Sequence, residues 1–312
     1  MKPMLASDAV ESKIVFPCIA QPKIDGVRGL NMLGPLTGRS LKTHANIHAT
    51  NFFSMGAFRG FDGEMAAEHE CHPELCRLTT SALSRIEGEP WILWHVFDYL
   101  TPDTMSLPYE ERLLKLRARV VYLQDTMPTI AAHLKVIEWH VCENMEQLLA
   151  LDSKWLDMGY EGTIVRRPNG MHKQGRSTVR EGGLLRIKRF IEEEAVVEQI
   201  IEGEANGNEA TINELGQTER STHQANMTPN GMVGAMMCKL LKDVEHNGKT
   251  LFTAGQIIKV GAGRMPHDLR KAWFEDQTQL LGQVIKFKTF PVGVKDKPRF
   301  PTFQTLRASS DL

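Results

Sequence analysis

The chain has 312 residues, 42% hydrophobic and 24% charged, with a formal net charge of −1. That is the composition of an ordinary soluble protein with room for two domains or one large one, and it excludes a global electrostatic pull toward nucleic acid. No apolar run approaches the ~20 residues that span a bilayer, and MKPMLASDAV at the N-terminus lacks the apolar core of a signal peptide. Five cysteines fit reduced thiols better than a disulfide framework. A cytoplasmic protein without a membrane partner is expected.

Strand-like runs dominate the first hundred residues: VFPCIAQPKI, VRGLNML, GFDGEMAAE and WILWHVFDYL, each bounded by Gly, Pro or Asp. Asp25-Gly26, in QPKIDGVRG, is a tight-turn signal between the first two and reads equally well as a hairpin turn with incidental charges. HPELCRLTTSALSRI reads as a helix, with Pro73 in its first turn and Gly88 past its end. PYEERLLKLRARVVYL is a second helix. ENMEQLLALDSKWLDMG is a third, with Gly159 as its C-cap, and it leads into the short strand YEGTIVRRP. LLRIKRF is again a strand, and IEEEAVVEQII opens a new unit, with a hinge expected near 188–194. GMVGAMMCKLL, TLFTAGQIIKVG and GQVIKFKTFPV then read as strands, PHDLRKAWFEDQTQLL as a helix and TERSTHQANMTPNG as a long polar loop. Several strands and one helix in this length suit a small β-barrel.

Charge is uneven. Arg166, Arg167, Lys173, Arg176, Arg180, Arg186, Lys188 and Arg189 stand against the single acid Glu181, and Lys286, Lys288, Lys295, Lys297, Arg299 and Arg307 against Asp296. Such tracts are either solvated faces or local phosphate contacts. Other fragments carry chemistry only in company. FDGEM places Glu64 beside a second Asp-Gly, and HVFDYL ends an apolar strand with Phe97 and Asp98. EGTIVR sets Glu161 five residues before Arg166. In LLRIKRF, Arg186 and Lys188 project from one face by period-two geometry.

In order and spacing, from Gln21 to Arg307, these fragments resemble the ATP-dependent DNA ligases of the covalent nucleotidyltransferase superfamily, and most of all the short, phage-type ones. The resemblance implies an α+β fold of two domains. Residues 1–190 would be the adenylation (nucleotidyltransferase, ATP-grasp-like) domain of antiparallel sheets with helices, and 191–312 a small OB-fold barrel. It implies a ligase that uses ATP and Mg²⁺ to seal nicked duplex DNA in replication, repair and recombination. The enzyme would act as a monomer in the cytoplasm, the host's if phage-encoded. Lys23 would be the nucleophile that takes AMP; a lysine in water is almost wholly protonated at neutral pH and needs desolvation or nearby positive charge to attack. Asp25 would hold the turn that aims it.

The same resemblance places Gln21 near the adenine edge and Phe97 against the adenine, although a strand Phe is more often core. Glu64 and Glu161 would contact the ribose or hold Mg²⁺. Arg28 and Arg39 would contact the nucleotide or the nicked strand, Arg186 and Lys188 the α-phosphate, and Arg299 the pyrophosphate. Arg166, like Arg186, would contact the nucleotide, although both stand where the family more often has Lys, and a planar guanidinium is not a point-charge ammonium. Lys173 and Arg176 are read as DNA contacts from the basic tract. An NAD-dependent ligase needs a further N-terminal domain, and 22 residues precede Lys23. A capping guanylyltransferase, an RNA ligase and an inactive nucleic-acid-binding protein fit less well. His69, Cys71, His72 and Cys76 in EHECHPELC match no common zinc spacing, and no zinc is expected there.

Overall fold

The computed structural model describes residues 2–32, 34–246, 249–291 and 297–307. The early strand-like runs do form strands, but they belong to two different sheets. In chain order the strands that matter are β1 (Ser7–Asp8), β2 (Cys18–Lys23), β3 (Val27–Leu30), β4 (Phe61–Ala66), β5 (Leu93–Tyr99), β6 (Leu134–Val136), β7 (His140–Cys142), β8 (Gly162–Arg166) and β9 (Leu185–Lys188). One sheet has the order β1-β9-β8-β2-β7, the other β3-β4-β5-β6. Asp25-Gly26 is therefore not a hairpin turn: β2 and β3 do not pair, and the chain steps there from one sheet to the next. A side chain at Gly26 would overlap the Met65 carbonyl oxygen, so only glycine makes this crossing.

The sheets are mixed rather than antiparallel throughout. β1 runs parallel to β9, and β5 runs parallel to β6. The second pairing needs a crossover, which the intervening helix Tyr109–Thr126 supplies. That helix buries Tyr109, Arg112, Leu113, Leu116, Val120 and Leu123, a stripe at helical spacing, with Glu110 and Glu111 at its positive N-terminal end. The helix expected over 72–86 is only Leu75–Ser84; His72 Nδ1 accepts from the Glu74 N–H at 3.1 Å and holds Pro73 in a turn ahead of it. The helix Met145–Asp157 is capped by Asn144, whose Oδ1 accepts from the Gln147 N–H at 3.0 Å, and Gly159 follows it at φ 97°. A further helix, Ile47–Phe53, was hidden in the aromatic and β-branched run IHATNFF; Asn46 caps it.

The chain divides into two units, Met1–Lys188 and Arg189–Leu312. The second is a closed barrel of β10 (Ile191–Asn206), β11 (Met227–Leu240), β12 (Ile257–Gly261), β13 (Val284–Phe290) and β14 (Arg299–Leu306), in the order β10-β11-β12-β14-β13. Val197, Met236, Val260, Ile285 and Phe287 fill it; full burial of such side chains contributes about 1.5–3 kcal/mol each. The helix His267–Glu275 lies between the third and fourth strands and packs Trp273 onto Phe303, ring centroids 6.2 Å apart. TLFTAGQIIKVG is two strands, not one, broken at Gly255 with φ 82°. Within the stretch read as a polar loop, Thr218–Arg220 pairs with Ala210–Ile212, and β11 already begins at Met227. Among the described residues no helix is long and apolar enough to cross a membrane. Cys18, Cys71, Cys76, Cys142 and Cys238 are free thiols.

Candidate active site

Sheet register builds the site. In the first sheet Lys23, Gly162 and Lys188 occupy one cross-strand row, and Gln21, Ile164 and Arg186 the next row on that face. Leu185 and Ile187 are buried on the opposite face. In the second sheet Arg28, Glu64 and His95 form a row. A cleft of about 360 Å³ lies among these strands, lined by Gln21, Lys23, Arg28, Arg39, Glu64, Phe97, Arg166, Arg176 and Arg186, with Leu5, Ala6, Ile137, Ile164 and Leu184 as apolar wall. The volume and mixed lining suit a nucleotide-sized ligand.

Lys23 ends β2. Its carbonyl accepts from the Glu161 N–H at 3.0 Å, and its ammonium donates to the buried Glu161 carboxylate. Lys188 pairs with the other oxygen of the same carboxylate. Burial by itself would raise the Glu161 carboxyl, but the two ammoniums hold it below the ordinary carboxylate range. Gly162, at φ 151°, brings these strands together; a Cβ there would overlap the Ile187 carbonyl oxygen. Asp25 does not line the cleft, although its charge, like that of Glu161, bears on Glu64. The Glu64 carboxyl is pushed up to about 7, because burial outweighs the nearby Lys23 and Arg28 cations.

Arg28 forks onto buried Asp62, with Nε to Oδ1 at 2.5 Å and Nη2 to Oδ2 at 2.7 Å, and its guanidinium carbon lies 4.7 Å from the Phe97 ring centroid. Phe97 is thus half-buried at the cleft rather than lost in the core. Behind it, Asp98 is clamped by two arginines. Arg112 donates from Nε at 2.7 Å and Nη2 at 3.1 Å, and Arg166 from Nη1 at 3.0 Å. All three are buried, and the arginines outweigh desolvation to keep the Asp98 carboxyl below its usual range. Arg112 and Tyr109 were not expected in the site. Both stand on the apolar stripe of their helix, where a charged or phenolic residue among leucines was the available signal.

The N-terminus was missed as well. Met4–Leu5 pairs with Gly175–Arg176, β1 with β9, and Leu5 and Ala6 form cleft wall. Two-residue strands carry no readable period. Arg176 donates to the Ala6 carbonyl, and Arg186 to Asp8 at 2.6 Å. Lys173 lies outside the cleft, paired with Glu181 at 2.6 Å. Arg39 is exposed at the cleft rim. Arg299 is on β14 of the barrel unit, its guanidinium 5.7 Å from the Phe300 ring. Lys295 and Asp296 lie outside the described residues.

In EHECHPELC the imidazoles serve the local backbone: His69 Nδ1 accepts from the Cys71 N–H and His72 Nδ1 from the Glu74 N–H. Glu70 takes Lys135 at 2.6 Å and the Tyr160 hydroxyl at 3.1 Å. Among the described residues no group of three or more His, Cys, Asp or Glu is arranged to hold a metal. Glu64 and Glu161 supply two carboxylates. That donor set suits Mg²⁺, a hard ion which takes one or two carboxylates and completes its shell with phosphate oxygens and water.

Residues 61–188 match the family described as ATP dependent DNA ligase domain. The crystal structure of Chlorella virus DNA ligase-adenylate is similar at 25% identity and a TM-score of 0.51, over 98% of this chain and 99% of that one. A structure from an analysis of Lig E DNA ligases is similar in fold at 18% identity and a TM-score of 0.70, over 98% of this chain and 99% of that one. No curated protein sequence is significantly similar.

Proposed function

We propose, from the match of residues 61–188 to the ATP dependent DNA ligase domain and the likeness to Chlorella virus DNA ligase-adenylate, that the chain is an ATP-dependent DNA ligase that seals 5′-phosphate/3′-hydroxyl nicks in duplex DNA through Lys23. The Lys23 ammonium gives up one proton to solvent, and the resulting amine attacks the α-phosphorus of ATP. A nitrogen–phosphorus bond forms, the bond to the bridging oxygen of the β-phosphate breaks, and pyrophosphate leaves as Nζ gives up a proton. The 5′-phosphate of the nick then takes AMP from Lys23, and the 3′-hydroxyl displaces AMP to form the phosphodiester. The observation that carries this reading is the row Lys23–Gly162–Lys188 at the nucleotide-sized cleft, with both ammoniums on the single buried carboxylate of Glu161.

The remaining roles follow from position and from the resemblance. Phe97, braced by Arg28, stacks on the adenine, and Gln21 meets its edge. Asp25 steadies the step between sheets that aims Lys23. Arg186 exchanges Asp8 for the α-phosphate, Lys188 stands beside it, and Arg166 is a buried prop rather than a mobile phosphate ligand. Glu64 and Glu161 would hold Mg²⁺, which when bound offsets phosphate charge; Glu64, reluctant to ionise, gains most from such a cation. Arg299 acts on the pyrophosphate from the barrel unit. We read the barrel as an OB-fold from its strand order and its helix between the third and fourth strands. Arg39, Lys173 and Arg176 take DNA phosphates, the last two by exchanging their present partners. The enzyme acts as a cytoplasmic monomer.

The test is incubation with α-phosphate-labelled ATP, followed by a nicked duplex. A covalent AMP adduct on Lys23 that chases into sealed DNA is expected. An adduct with GTP alone would make the protein a guanylyltransferase, and sealing of nicked RNA alone an RNA ligase.

A further inference from the structure

We infer that Tyr109 sets base choice by fixing which end of the Gln21 amide faces the cleft. The inference rests on reading the cleft as a purine nucleotide site. The Tyr109 hydroxyl oxygen lies 2.8 Å from Gln21 Oε1 and 2.8 Å from the Phe97 carbonyl oxygen. A phenol has one proton to give, and burial keeps this one protonated. The Phe97 carbonyl can only accept. Once the proton goes there, the hydroxyl meets Gln21 with lone pairs, and the complementary group is the amide NH₂.

In the opposite orientation Gln21 Nε2 is a buried donor with no partner, although Gln21 is 2% exposed and forms cleft wall. The two ends of an amide are nearly isosteric, so their assignment follows the hydrogen-bond network. Turning the amide by half a circle gives Nε2 to the Tyr109 oxygen and removes the unpaired donor. The Gln21 carbonyl oxygen then takes the place of Nε2 as an acceptor for the ligand.

A carbonyl oxygen in that wall distinguishes purines at the 6-position. Adenine presents an amine there, a donor that the oxygen accepts. Guanine presents a second carbonyl oxygen, and two acceptors face each other without a proton. Tyr109 is in this account a positioning residue: it touches no substrate and acts through Gln21.

The experiment measures formation of the Lys23–nucleotide adduct by the full chain with ATP, GTP and purine riboside triphosphate, which has hydrogen at the 6-position. The unmodified chain should favour ATP over both, by on the order of a hundredfold over GTP. Tyr109→Phe should lower the ATP:GTP ratio by about tenfold or more, chiefly through KM, because either end of the amide can then face the cleft. Gln21→Glu, an acceptor at both ends, should keep the ATP preference, and adding Tyr109→Phe to it should leave the ratio unmoved. A ratio taken within one preparation is insensitive to the fraction folded. An unchanged ratio in Tyr109→Phe overturns the inference, as does a drop that persists beside Gln21→Glu. Labelling without base preference overturns it while leaving the nucleotidyl-transfer reading standing; labelling by no nucleotide brings down both.

Discussion

Asp98 and Glu161 each lie buried between two cations, yet the two clusters are built for different purposes. Asp98 is gripped by guanidiniums that are themselves 1–2% exposed, in a fork from Arg112 with Arg166 completing it. Guanidiniums do not lose their protons in proteins, so this cluster holds its charges permanently and fixes β5 against the crossover helix and β8. Glu161 is gripped by ammoniums on flexible stems whose side chains keep 20% and 17% of their exposure. An ammonium can give up a proton and become a nucleophile. Equal charge arithmetic thus gives cations that keep their protons in one place and cations able to give one up in the other, and the difference lies in the chemistry of the cation and its exposure.

Replacing the reactive cation by the permanent one tests this most severely. Lys23→Arg should keep the contact to Glu161 and a near-native melting temperature, yet reduce the AMP adduct to background. Normal adduct formation by that variant would remove Lys23 from the chemistry. The anchor responds in the opposite sense. Asp98→Asn leaves two buried arginines without a counter-charge and should cost about 3–5 kcal/mol in denaturant unfolding. Glu161→Gln, whose lysines reach water, should cost about 1–2 kcal/mol while slowing adduct formation more than it lowers stability. Equal stability losses at the two positions would erase the distinction drawn between them. Asp98 has its folded pKa below the unfolded one, so its contribution is present at neutral pH and disappears on acidification through the folded value. The acid limb of the stability curve should flatten in Asp98→Asn.

Glu64 provides a third carboxylate with the opposite shift. Its folded pKa near 7 lies above the ordinary carboxylate value, so its favourable contribution is present in acid and lost as pH rises through 7. Glu64→Gln should therefore stabilise the chain more at alkaline than at acid pH, by about 2 kcal/mol across the range. The Mg²⁺ concentration needed for adduct formation should rise as pH falls through 7, and this dependence should flatten in the variant. A pH-independent Mg²⁺ requirement in the unmodified chain would place the metal elsewhere. The smallest effect is expected at exposed pairs. Exchanging the Glu181 partner of Lys173 for a phosphate costs little at the surface. Neutralising Lys173 and Arg176 together should lower the slope of log affinity for nicked DNA against log salt by about 2, with adduct formation nearly intact. An unchanged slope returns both to ordinary solvated charges.

Much of the site was legible because its residues sit at strand positions whose period is two. Arg186 and Lys188 had to share a face, and Glu161-Gly162 had to open a strand after the Gly159 cap. Lys23 stood out because Asp-Gly, a basic residue and two glutamates followed at motif spacing.

Other features depended on what meets across the sheets. Asp25-Gly26 read as a hairpin turn because local propensity describes a reversal and cannot tell a partner strand from a second sheet. That Lys188 joins Lys23 on one carboxylate depends on the register of three strands, one of them more than a hundred residues before the other two. Tyr109 and Arg112 looked like members of an amphipathic helix; only docking of that helix behind β5 makes one an orienting hydroxyl and the other half of an anchor. Residues 4–8 were unreadable, because pairs of two residues carry no period and are held by strands that arrive at the far end of the unit. The sequence by itself determined residue chemistry and local period, both properties of neighbours along the chain. The tertiary structure decided which charges share a carboxylate and which are shielded from water, because those energies depend on separation in space and on local dielectric, neither of which is written in sequence distance.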